Sequence, residues 1–433
     1  MASSSSSGPS VPVVFTTQTP YPLPTQKFMI PATWKRFQLS QLINKALSLL
    51  TPVPFDFLVK KEVLASSLGE WCAENGVAEE ETLEIEYIES VLPPQKMSDQ
   101  PHEDWVSSVS CELQGYFLAG SYDGVVRAFD YSQKLDTACS IHSAPISSIC
   151  VVPANGDDDS HLVASASHDL TAQLTRIILG AEESRSESLA TLHLHTLPLA
   201  SIASNATGSH LLTASWDGLV GLWDTKIPTS DEVPEETVDH ERKKRRKLDT
   251  STKPKRKAPR AVLKSHTLRV SRALFNDTDS KTAYSCGFDS TVRTWDIENE
   301  ICTQTITASE KPFLDMIITS DGNTALAAST DRTVSLYDLR AGVISGTGSL
   351  MHPATPSCVA KASSSLHQIV SGAYDGVVRL WDLRSTKGAL SSFKAWEGKK
   401  KVLAVDWKRG LVGVGGEGGL EVWKAGEDGS KSG

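Results

Sequence analysis

Residues 369–382 read IVSGAYDGVVRLWD, in which two apolar-rich segments flank Asp375-Gly376. Segments of alternating apolar and polar residues on either side of an Asp-Gly turn are typical of a β-hairpin. Six further segments follow the same pattern, at residues 117–130, 162–176, 211–224, 283–296, 325–338 and 411–424. The sequence therefore predicts a repeat protein with seven β-rich units.

The acidic residue at each turn marks the period of the repeat. The seven turn acids are Asp123, Asp169, Asp217, Asp289, Asp331, Asp375 and Glu417. Successive acids are 46, 48, 72, 42, 44 and 42 residues apart, so five of the six intervals fit one period. A period of about 40 to 45 residues with a closing Trp-Asp resembles the WD-repeat family, whose repeats are four-stranded blades. The resemblance implies a mainly β fold with a seven-bladed β-propeller over residues 91–424.

The WD-repeat family also has a His, a Ser or Thr, an Asp and a Trp that form a hydrogen-bonded tetrad within a blade. Three complete sets occur by position: His195, Thr213, Asp217 and Trp223; His266, Ser285, Asp289 and Trp295; His352, Ser371, Asp375 and Trp381. The other blades depart from the pattern at Ala119 and Phe129, Thr175, and Ala327 and Tyr337. A Ser, His and Asp together also suggest a catalytic triad, but a triad forms one constellation in one active site. Because the set recurs, we interpret it as structural and assign no catalytic residue.

Two features of the last repeat need separate interpretation. Gly413–Gly418 formally matches a dinucleotide-binding fingerprint, but that motif requires a helix after the glycines. A strand pattern follows here, so we interpret the glycines as turn residues. Only ten polar or small residues follow Trp423. We therefore predict that the segment around VLPPQKMSD, residues 91–99, supplies the fourth strand of blade seven.

A charged insertion explains the long interval between the third and fourth turn acids. It spans residues 226–260 within blade three, and we predict that it is disordered. Residues 242–260 contain eleven Lys or Arg and one Asp, a charge of +10, which leaves −19 on the rest of a chain of net charge −9. The run resembles a bipartite nuclear localisation signal, with the basic residues Arg242, Lys243, Lys244, Arg245, Arg246, Lys247, Lys253, Lys255, Arg256 and Lys257. Contact with RNA phosphates and a merely solvated loop stay open as alternatives.

Residues 11–90 lack the repeat and form a separate module. Two N-terminal strand patterns, an amphipathic helix over Leu39–Leu50 and two later strands resemble the ubiquitin-like β-grasp fold, an α+β domain. We expect Ser40 to cap the helix and Leu42, Ile43, Ala46, Leu47 and Leu50 to form its apolar face. Residues 1–10 and 425–433 are predicted to be disordered.

The junction between the two modules carries the most specific resemblance. A ubiquitin-like domain followed by a seven-bladed propeller, with EYIESVLPP at 86–94 and EDWVSSVS at 103–110, resembles the Ytm-type WD-repeat family of ribosome-biogenesis proteins. The resemblance implies a non-enzymatic assembly factor for the large (60S) ribosomal subunit and pre-rRNA maturation, in the nucleus, nucleolus and nucleoplasm. It also implies binding of the propeller to a Bop-type WD-repeat protein, in a complex with a Pescadillo-type protein, on the pre-60S particle.

The same resemblance implies a role for the N-terminal module. This module would dock on the metal-ion-dependent adhesion site of midasin, an AAA ATPase, which would release the protein from the pre-60S particle. The residue implied is Glu86, with Glu84 and Glu89 as neighbours, and its carboxylate would complete the shell of a Mg²⁺ held mostly by midasin. The chain would have no cofactor of its own. A WD-repeat substrate receptor or adaptor in ubiquitin and proteasome pathways is the alternative function.

Overall fold

The computed structural model describes residues 9–78, 80–90, 93–153, 160–180, 185–234, 253–307, 310–340, 346–363 and 365–426. The chain divides into two units, Met1–Pro93 with Trp381–Leu390, and Pro94–Leu380 with Ser391–Gly433. None of the helices described is long and apolar enough to cross a membrane.

The N-terminal unit contains a five-stranded sheet with the strand order β2-β1-β5-β3-β4. Its elements are β1 (Ser10–Thr16), β2 (Lys27–Pro31), α1 (Arg36–Leu47), β3 (Phe55–Val59), β4 (Glu62–Val63), α2 (Leu68–Asn75) and β5 (Leu83–Glu89). Strand β5 pairs in parallel with β1 and antiparallel with β3, so it is the central strand. This is the ubiquitin-like β-grasp arrangement that the sequence predicts. Ser10 belongs to β1, so the expected disorder is wrong at that position.

Helix α1 begins three residues earlier than the sequence pattern indicates. Its N-cap is Lys35, whose backbone amide donates to the Gln38 side chain at 3.1 Å. The predicted cap, Ser40, lies inside the helix, and its hydroxyl accepts a hydrogen bond from the amide of Phe55 at 3.1 Å. Leu50 lies beyond the helix and is fully exposed. The predicted cap and the end of the predicted apolar face are therefore wrong.

The sequence analysis did not predict helix α2. Its N-terminus nevertheless has a recognisable capping box, formed by Ser67 and Glu70. The Ser67 hydroxyl accepts from the amide of Glu70 at 3.4 Å, and Glu70 accepts from the amide of Ser67 at 2.9 Å. This reciprocal pair satisfies two amides at the helix N-terminus. The helix ends at Gly76, whose φ of +62° is in the left-handed region that glycine adopts readily.

The second unit contains seven sheets within its described residues, each built on four antiparallel strands. The strands are β6 (Gln95–Gln100), β7 (Val106–Ser110), β8 (Tyr116–Ser121), β9 (Val125–Asp130), β10 (Leu135–Ser140), β11 (Ile146–Val152), β12 (Ser160–Ser167), β13 (Thr171–Ile178), β14 (Arg185–His193), β15 (Leu199–Ser204), β16 (His210–Ser215), β17 (Leu219–Asp224), β18 (Lys255–Lys257), β19 (Ala261–Lys264), β20 (Val270–Phe275), β21 (Thr282–Gly287), β22 (Thr291–Asp296), β23 (Ile301–Thr307), β24 (Phe313–Ile318), β25 (Thr324–Ser329), β26 (Thr333–Asp338), β27 (Gly346–Met351), β28 (Pro356–Lys361), β29 (Gln368–Ala373), β30 (Val377–Asp382), β31 (Ser391–Lys394), β32 (Val402–Lys408), β33 (Leu411–Gly416) and β34 (Gly419–Lys424).

The first strands of neighbouring sheets contact one another around a closed ring, with β32 of the last sheet against β7 of the first. Apolar side chains fill the spaces between sheets; one cluster joins Val106 and Val109 of the first sheet to Leu420 and Val422 of the last. Strand β6 pairs with β34 and completes the last sheet, as the sequence predicts. The N-terminal side of the ring is thereby joined to its C-terminal strands.

The glycines of the last repeat have a packing role that the sequence interpretation missed. A Cβ on Gly413 or Gly415 would lie 2.7 Å from a methyl group of Val109 or Val106. Both glycines lie in β33, so calling them turn residues was wrong. They permit the last sheet to approach the first closely.

The insertion in blade three is ordered at both ends, so the expected disorder of residues 226–260 is wrong there. Lys255–Lys257 forms β18, which pairs in parallel with β14 and adds a fifth strand to blade two. The amide of Arg256 donates to Asp231 at 2.9 Å, and its carbonyl accepts from the amide of Glu232 at 2.8 Å. The acidic half of the insertion thus anchors the end of its basic half.

Candidate functional sites

The three glutamates singled out in the N-terminal unit all lie in β5. Glu84 is exposed and Glu86 is half-buried, and both alternate with the buried Ile85 and Tyr87. Since alternate residues of a strand share a face, Glu84 and Glu86 project from the side opposite the core. Glu89 is exposed, but its position in the strand places it on the other face. The structure therefore brings Glu84 and Glu86 together and separates Glu89 from them.

Glu86 is held by a cation within its unit. Its side chain is 27% exposed, and Oε1 accepts a hydrogen bond from Nη1 of Arg384 at 3.3 Å. The same guanidinium donates to the carboxylate of Asp382 at 2.9 and 2.7 Å. Burial tends to lower the pKa of Arg384, but its bonds to Asp382 and Glu86 raise it overall. Asp382 is the closer partner, so Arg384 would keep a counterion if Glu86 were engaged elsewhere.

The residue after Glu86 fixes the end of β5. Tyr87 is fully buried, and its hydroxyl donates to the carbonyl of Tyr21 at 2.5 Å and accepts from the amide of Leu23 at 3.0 Å. Thr17 donates from its hydroxyl to the carbonyl of Tyr87 at 2.7 Å. These bonds tie the loop between β1 and β2 to the central strand. They give Glu86 a rigid backbone.

The basic run predicted as a localisation signal divides into two parts. Arg242, Lys243, Lys244, Arg245, Arg246 and Lys247 lie outside the described residues. Lys253 is exposed, whereas Lys257 is 3% exposed and its ammonium binds Asp224 Oδ1 at 2.6 Å. The second basic cluster is therefore partly built into the sheet.

The predicted tetrads in blades three and four have continuous hydrogen bonds. In blade three, Nδ1 of His195 bonds to Asp217 at 3.0 Å and Nε2 to Thr213 at 2.8 Å, while Trp223 donates to Thr213 at 2.9 Å. Blade four repeats the arrangement with distances of 2.8, 2.6 and 2.8 Å, in the residues His266, Asp289, Ser285 and Trp295.

Burial shapes the protonation of the blade-four tetrad. Burial is the main cause of a lowered pKa for His266, which favours its neutral form. Burial would raise the pKa of Asp289, but hydrogen bonds from His266 and Thr291 lower it well below its usual range. A neutral His266 can donate to Asp289 and accept from Ser285, so the chain of bonds needs no charged imidazole.

Blade six differs from these two. Nε2 of His352 bonds to Ser371 at 2.8 Å, but Nδ1 bonds to the carbonyl of Leu350 at 3.0 Å. The turn acid Asp375 instead accepts from Nη2 of Arg379 at 2.7 Å. The predicted bond between His352 and Ser371 is therefore present, whereas Asp375 bonds to Arg379 in place of the histidine.

Blade two contains a His-Ser-Asp set that the sequence reading did not single out. His142 bonds to Asp169 and to Ser165, both at 2.8 Å. Thr175 takes the place of the tetrad tryptophan, and its buried hydroxyl has no hydrogen-bond partner among the described residues. The spacing of His142 from Asp169 fits the family pattern, although the tryptophan of that pattern is missing from this blade.

The described residues include no group of three or more His, Cys, Asp or Glu that could hold a metal ion.

Comparison with known families agrees with this architecture. Residues 11–72 match the NLE (NUC135) domain, and residues 95–130, 186–224, 257–296 and 348–382 match the WD domain, G-beta repeat. The fold and these matches define a WD-repeat protein with an N-terminal NLE domain. The chain belongs to the YTM1 family of ribosome biogenesis proteins.

Three relatives show the extent of the likeness. The ribosome biogenesis protein YTM1 of Laccaria bicolor is 61% identical over 431 residues, 97% of this chain and 95% of the relative. The YTM1 protein of Coprinopsis cinerea is 59% identical over 96% of this chain and 94% of its own length. That of Saccharomyces cerevisiae is 31% identical over 91% of this chain and 92% of its own.

Proposed function

We propose that this protein is a non-enzymatic assembly factor of the large ribosomal subunit, acting in the nucleolus and nucleoplasm during pre-rRNA maturation. Its propeller binds a Bop-type WD-repeat protein that is joined to a Pescadillo-type protein. Its N-terminal domain docks on the adhesion site of midasin, whose ATP-driven movement removes it from the pre-60S particle. Membership of the YTM1 family supports the ribosomal role.

The position of Glu86 is the observation that carries the docking proposal. The side chain projects from the central strand of the sheet, on the face away from the core, and Tyr87 fixes the backbone beside it. A carboxylate oxygen is the ligand that Mg²⁺ prefers. A single carboxylate on a rigid strand can complete the coordination of a metal that the partner already holds. Glu84 shares the face and would add negative charge near the cation.

The contact with Arg384 is compatible with this role. At 3.3 Å, the bond from Arg384 to Glu86 is longer than both bonds from Arg384 to Asp382. Partly exposed ion pairs contribute about 0 to 1 kcal/mol, so exchanging Arg384 for a divalent cation costs little. Arg384 keeps its carboxylate partner after the exchange.

The test is binding of the full-length protein to the purified adhesion domain of midasin in Mg²⁺ and in EDTA. Glu86→Gln removes the charge with little change in shape, and Glu89→Gln is the matched control on the opposite face of the same strand. We expect wild type and Glu89→Gln to bind in Mg²⁺ only, and Glu86→Gln to bind in neither buffer. Equal binding by Glu86→Gln and wild type would exclude Glu86 as the metal ligand.

Affinity purification of the Glu86→Gln variant tests the wider role. The variant should copurify with the Bop-type and Pescadillo-type proteins and with pre-60S particles, because its propeller is unchanged, and it should accumulate there. Recovery of cullin or proteasome subunits in place of pre-60S components would favour the receptor function instead.

A further inference from the structure

A row of ring-bearing side chains crosses one face of blades one to four. In each of these blades the residue before the turn acid carries a ring: Tyr122, His168, Trp216 and Phe288. The amide of each donates to the carbonyl of a residue just ahead of the first strand of the same blade, at 2.8 to 3.0 Å. Since the sheets share one strand order, these equivalent positions lie on the same face. We call these four side chains, with Trp105, the aromatic row.

Rings of the row contact one another within blade one and across the boundaries of blades one to three. Ring centroids are 5.7 Å apart for Trp105 and Tyr122, 6.2 Å for Tyr122 and His168, and 5.3 Å for His168 and Trp216. Trp105 is 42% exposed and Trp216 is 39% exposed. The rings from Trp105 to Trp216 therefore form a continuous aromatic strip that is partly open to solvent, a feature typical of protein-binding surfaces.

Arg269 lies at the blade-four end of the row. Its guanidinium carbon is 3.3 Å from the ring centroid of Phe288 and 5.3 Å from that of Trp216. The turn acid of its own blade, Asp289, is held by His266 at 2.8 Å. Within the described part of the chain, Arg269 forms no ion pair. Partial burial lowers the pKa of Arg269, which reflects the loss of water around its charge.

A second cation lies beyond Arg269 on the same face. Tyr374 precedes the turn acid of blade six and is 40% exposed. Burial raises the pKa of Tyr374, and the positive charge of Arg269 opposes the rise. The ammonium of Lys401 is 5.7 Å from the Tyr374 ring. Lys401 also pairs with Glu417 at 3.4 Å, whereas Arg269 forms no such pair in the described part of the chain.

Apolar side chains in the loops before β15 and β20 flank this region. Leu197 is 47% exposed and Leu268 is 56% exposed. The carbonyl of Leu197 accepts from the hydroxyl of Ser215, next to Trp216, at 2.9 Å. Leu268 adjoins Arg269 in sequence. An extended ligand that reached Arg269 would thus meet apolar side chains beside it.

We propose that the aromatic row and Arg269 bind a peptide segment of a protein partner that places a carboxylate on Arg269 and an apolar side chain against Trp216 and Leu268. An arginine held against aromatic rings is pre-organised for a carboxylate, and such residues dominate the energy of protein interfaces. The carboxylate supplies the counterion that Arg269 lacks within the described residues. The proposal does not depend on the partners named under the proposed function.

The geometry favours a peptide over single-stranded RNA. Binding of single strands relies on aromatic faces that are free to stack on bases. Here neighbouring rings contact one another at interplanar angles of 39° to 56°, and the guanidinium of Arg269 lies over the face of Phe288.

Selection from a random library of short linear peptides on the purified full-length protein tests the proposal. Selected peptides are then synthesised, and their affinities are measured by fluorescence anisotropy for wild type, Arg269→Gln and Lys281→Gln. Lys281 is the control, because it is an exposed lysine in the loop between β20 and β21 of the same blade, outside the aromatic row. Thermal melts confirm that both variants are folded.

We expect the selected peptides to share a Glu or Asp beside an apolar residue. Changing that acid to its amide, or Arg269 to Gln, should each weaken binding by about tenfold or more, and Lys281→Gln should have no effect. The proposal fails if no peptide is enriched, if the enriched peptides lack an acid, or if Arg269→Gln binds them as wild type does. It also fails if oligouridine binds this face in an Arg269-dependent way while the peptides do not.

Discussion

Asp375 forms an ion pair with Arg379, with 2.7 Å between Oδ2 and Nη2. Asp217 and Asp289 occupy the same turn position in their blades, and each binds the histidine of its own blade. In blade six the Nδ1 atom of His352 bonds to the carbonyl of Leu350. One turn acid therefore has a different partner in a blade whose sequence matches the tetrad completely.

The environment of His352 predicts a loss of stability in acid. Burial lowers the pKa of His352 from 6.5 to about 4, and the nearby charge of Arg379 adds to the effect, while the bond to Leu350 opposes it. The unfolded chain thus takes up a proton before the folded one as the pH falls. The stabilising contribution is complete above about pH 6.5 and is lost between pH 6.5 and about 4, by roughly 3 kcal/mol.

Denaturant unfolding at intervals from pH 8 to pH 4 checks this prediction with wild type and His352→Gln. At pH 8 the histidine is neutral in both states, so the difference there gives the cost of the lost packing. The variant should be less stable than wild type at pH 8, and the gap should narrow as the pH falls. A gap that stays constant across this range would contradict the assigned pKa shift.

A serine at position 119 should stabilise blade one. Nε2 of His102 is buried without a hydrogen-bond partner in the described residues, and Ala119 stands where Ser165 binds His142 in blade two. Ala119→Ser would supply the missing hydroxyl. A hydrogen bond to a buried unsatisfied group contributes about 1 kcal/mol, which thermal or denaturant unfolding can measure.

Ala327→Ser is the matched control for that substitution. Ala327 occupies the same position in blade five and is fully buried, but the sequence has no histidine between His266 and His352. A hydroxyl added there would lack its partner, so the variant should be less stable than wild type by about 1 kcal/mol. If both serines change stability in the same direction, the missing hydrogen bond is not the reason for the effect at position 119.

The closing strand of the propeller depends on the pair formed by Lys96 and Glu421. Glu421 is fully buried, and its carboxylate binds the ammonium of Lys96 at 2.6 Å and the indole of Trp423 at 2.9 Å. Lys96→Met would leave a buried carboxylate without its cation. Because Lys96 is 41% exposed, we expect a loss of about 2 kcal/mol rather than the larger cost of a fully buried pair.

The double variant Lys96→Met/Glu421→Gln provides the comparison. The amide removes the unpaired charge and can still accept the bond from Trp423, so the double variant should be more stable than Lys96→Met alone. Unfolding of the three proteins by denaturant gives the coupling between the two sites. A double variant that is less stable than both single variants would contradict this account.

The sequence predicted the features that repeat, because each repeat is an independent observation of the same pattern. The hairpins, the β-grasp domain and the fourth strand of the last sheet were all foreseen. The hydrogen-bond partner of each turn acid was not predicted. Asp375 and Arg379 are four residues apart, but this spacing does not indicate that Asp375 binds Arg379 and not His352. The strand at Lys255–Lys257 was missed because its pairing with β14 is fixed by anchoring contacts to Asp231 and Glu232, not by apolar periodicity.

The ordered end of the insertion changes what is expected of nuclear import. Lys257 is buried and bound to Asp224, and an import receptor needs an accessible extended chain. We therefore predict that alanines at positions 243–247 leave a fluorescent fusion in the cytoplasm, whereas Lys257→Ala leaves import intact. Lys257→Ala should instead lower the melting temperature, because it leaves Asp224 and the carbonyl of Lys226 without the ammonium. Loss of nuclear accumulation in a folded Lys257→Ala protein would contradict this prediction. It would show that β18 separates from β14 and that the import receptor binds both basic clusters.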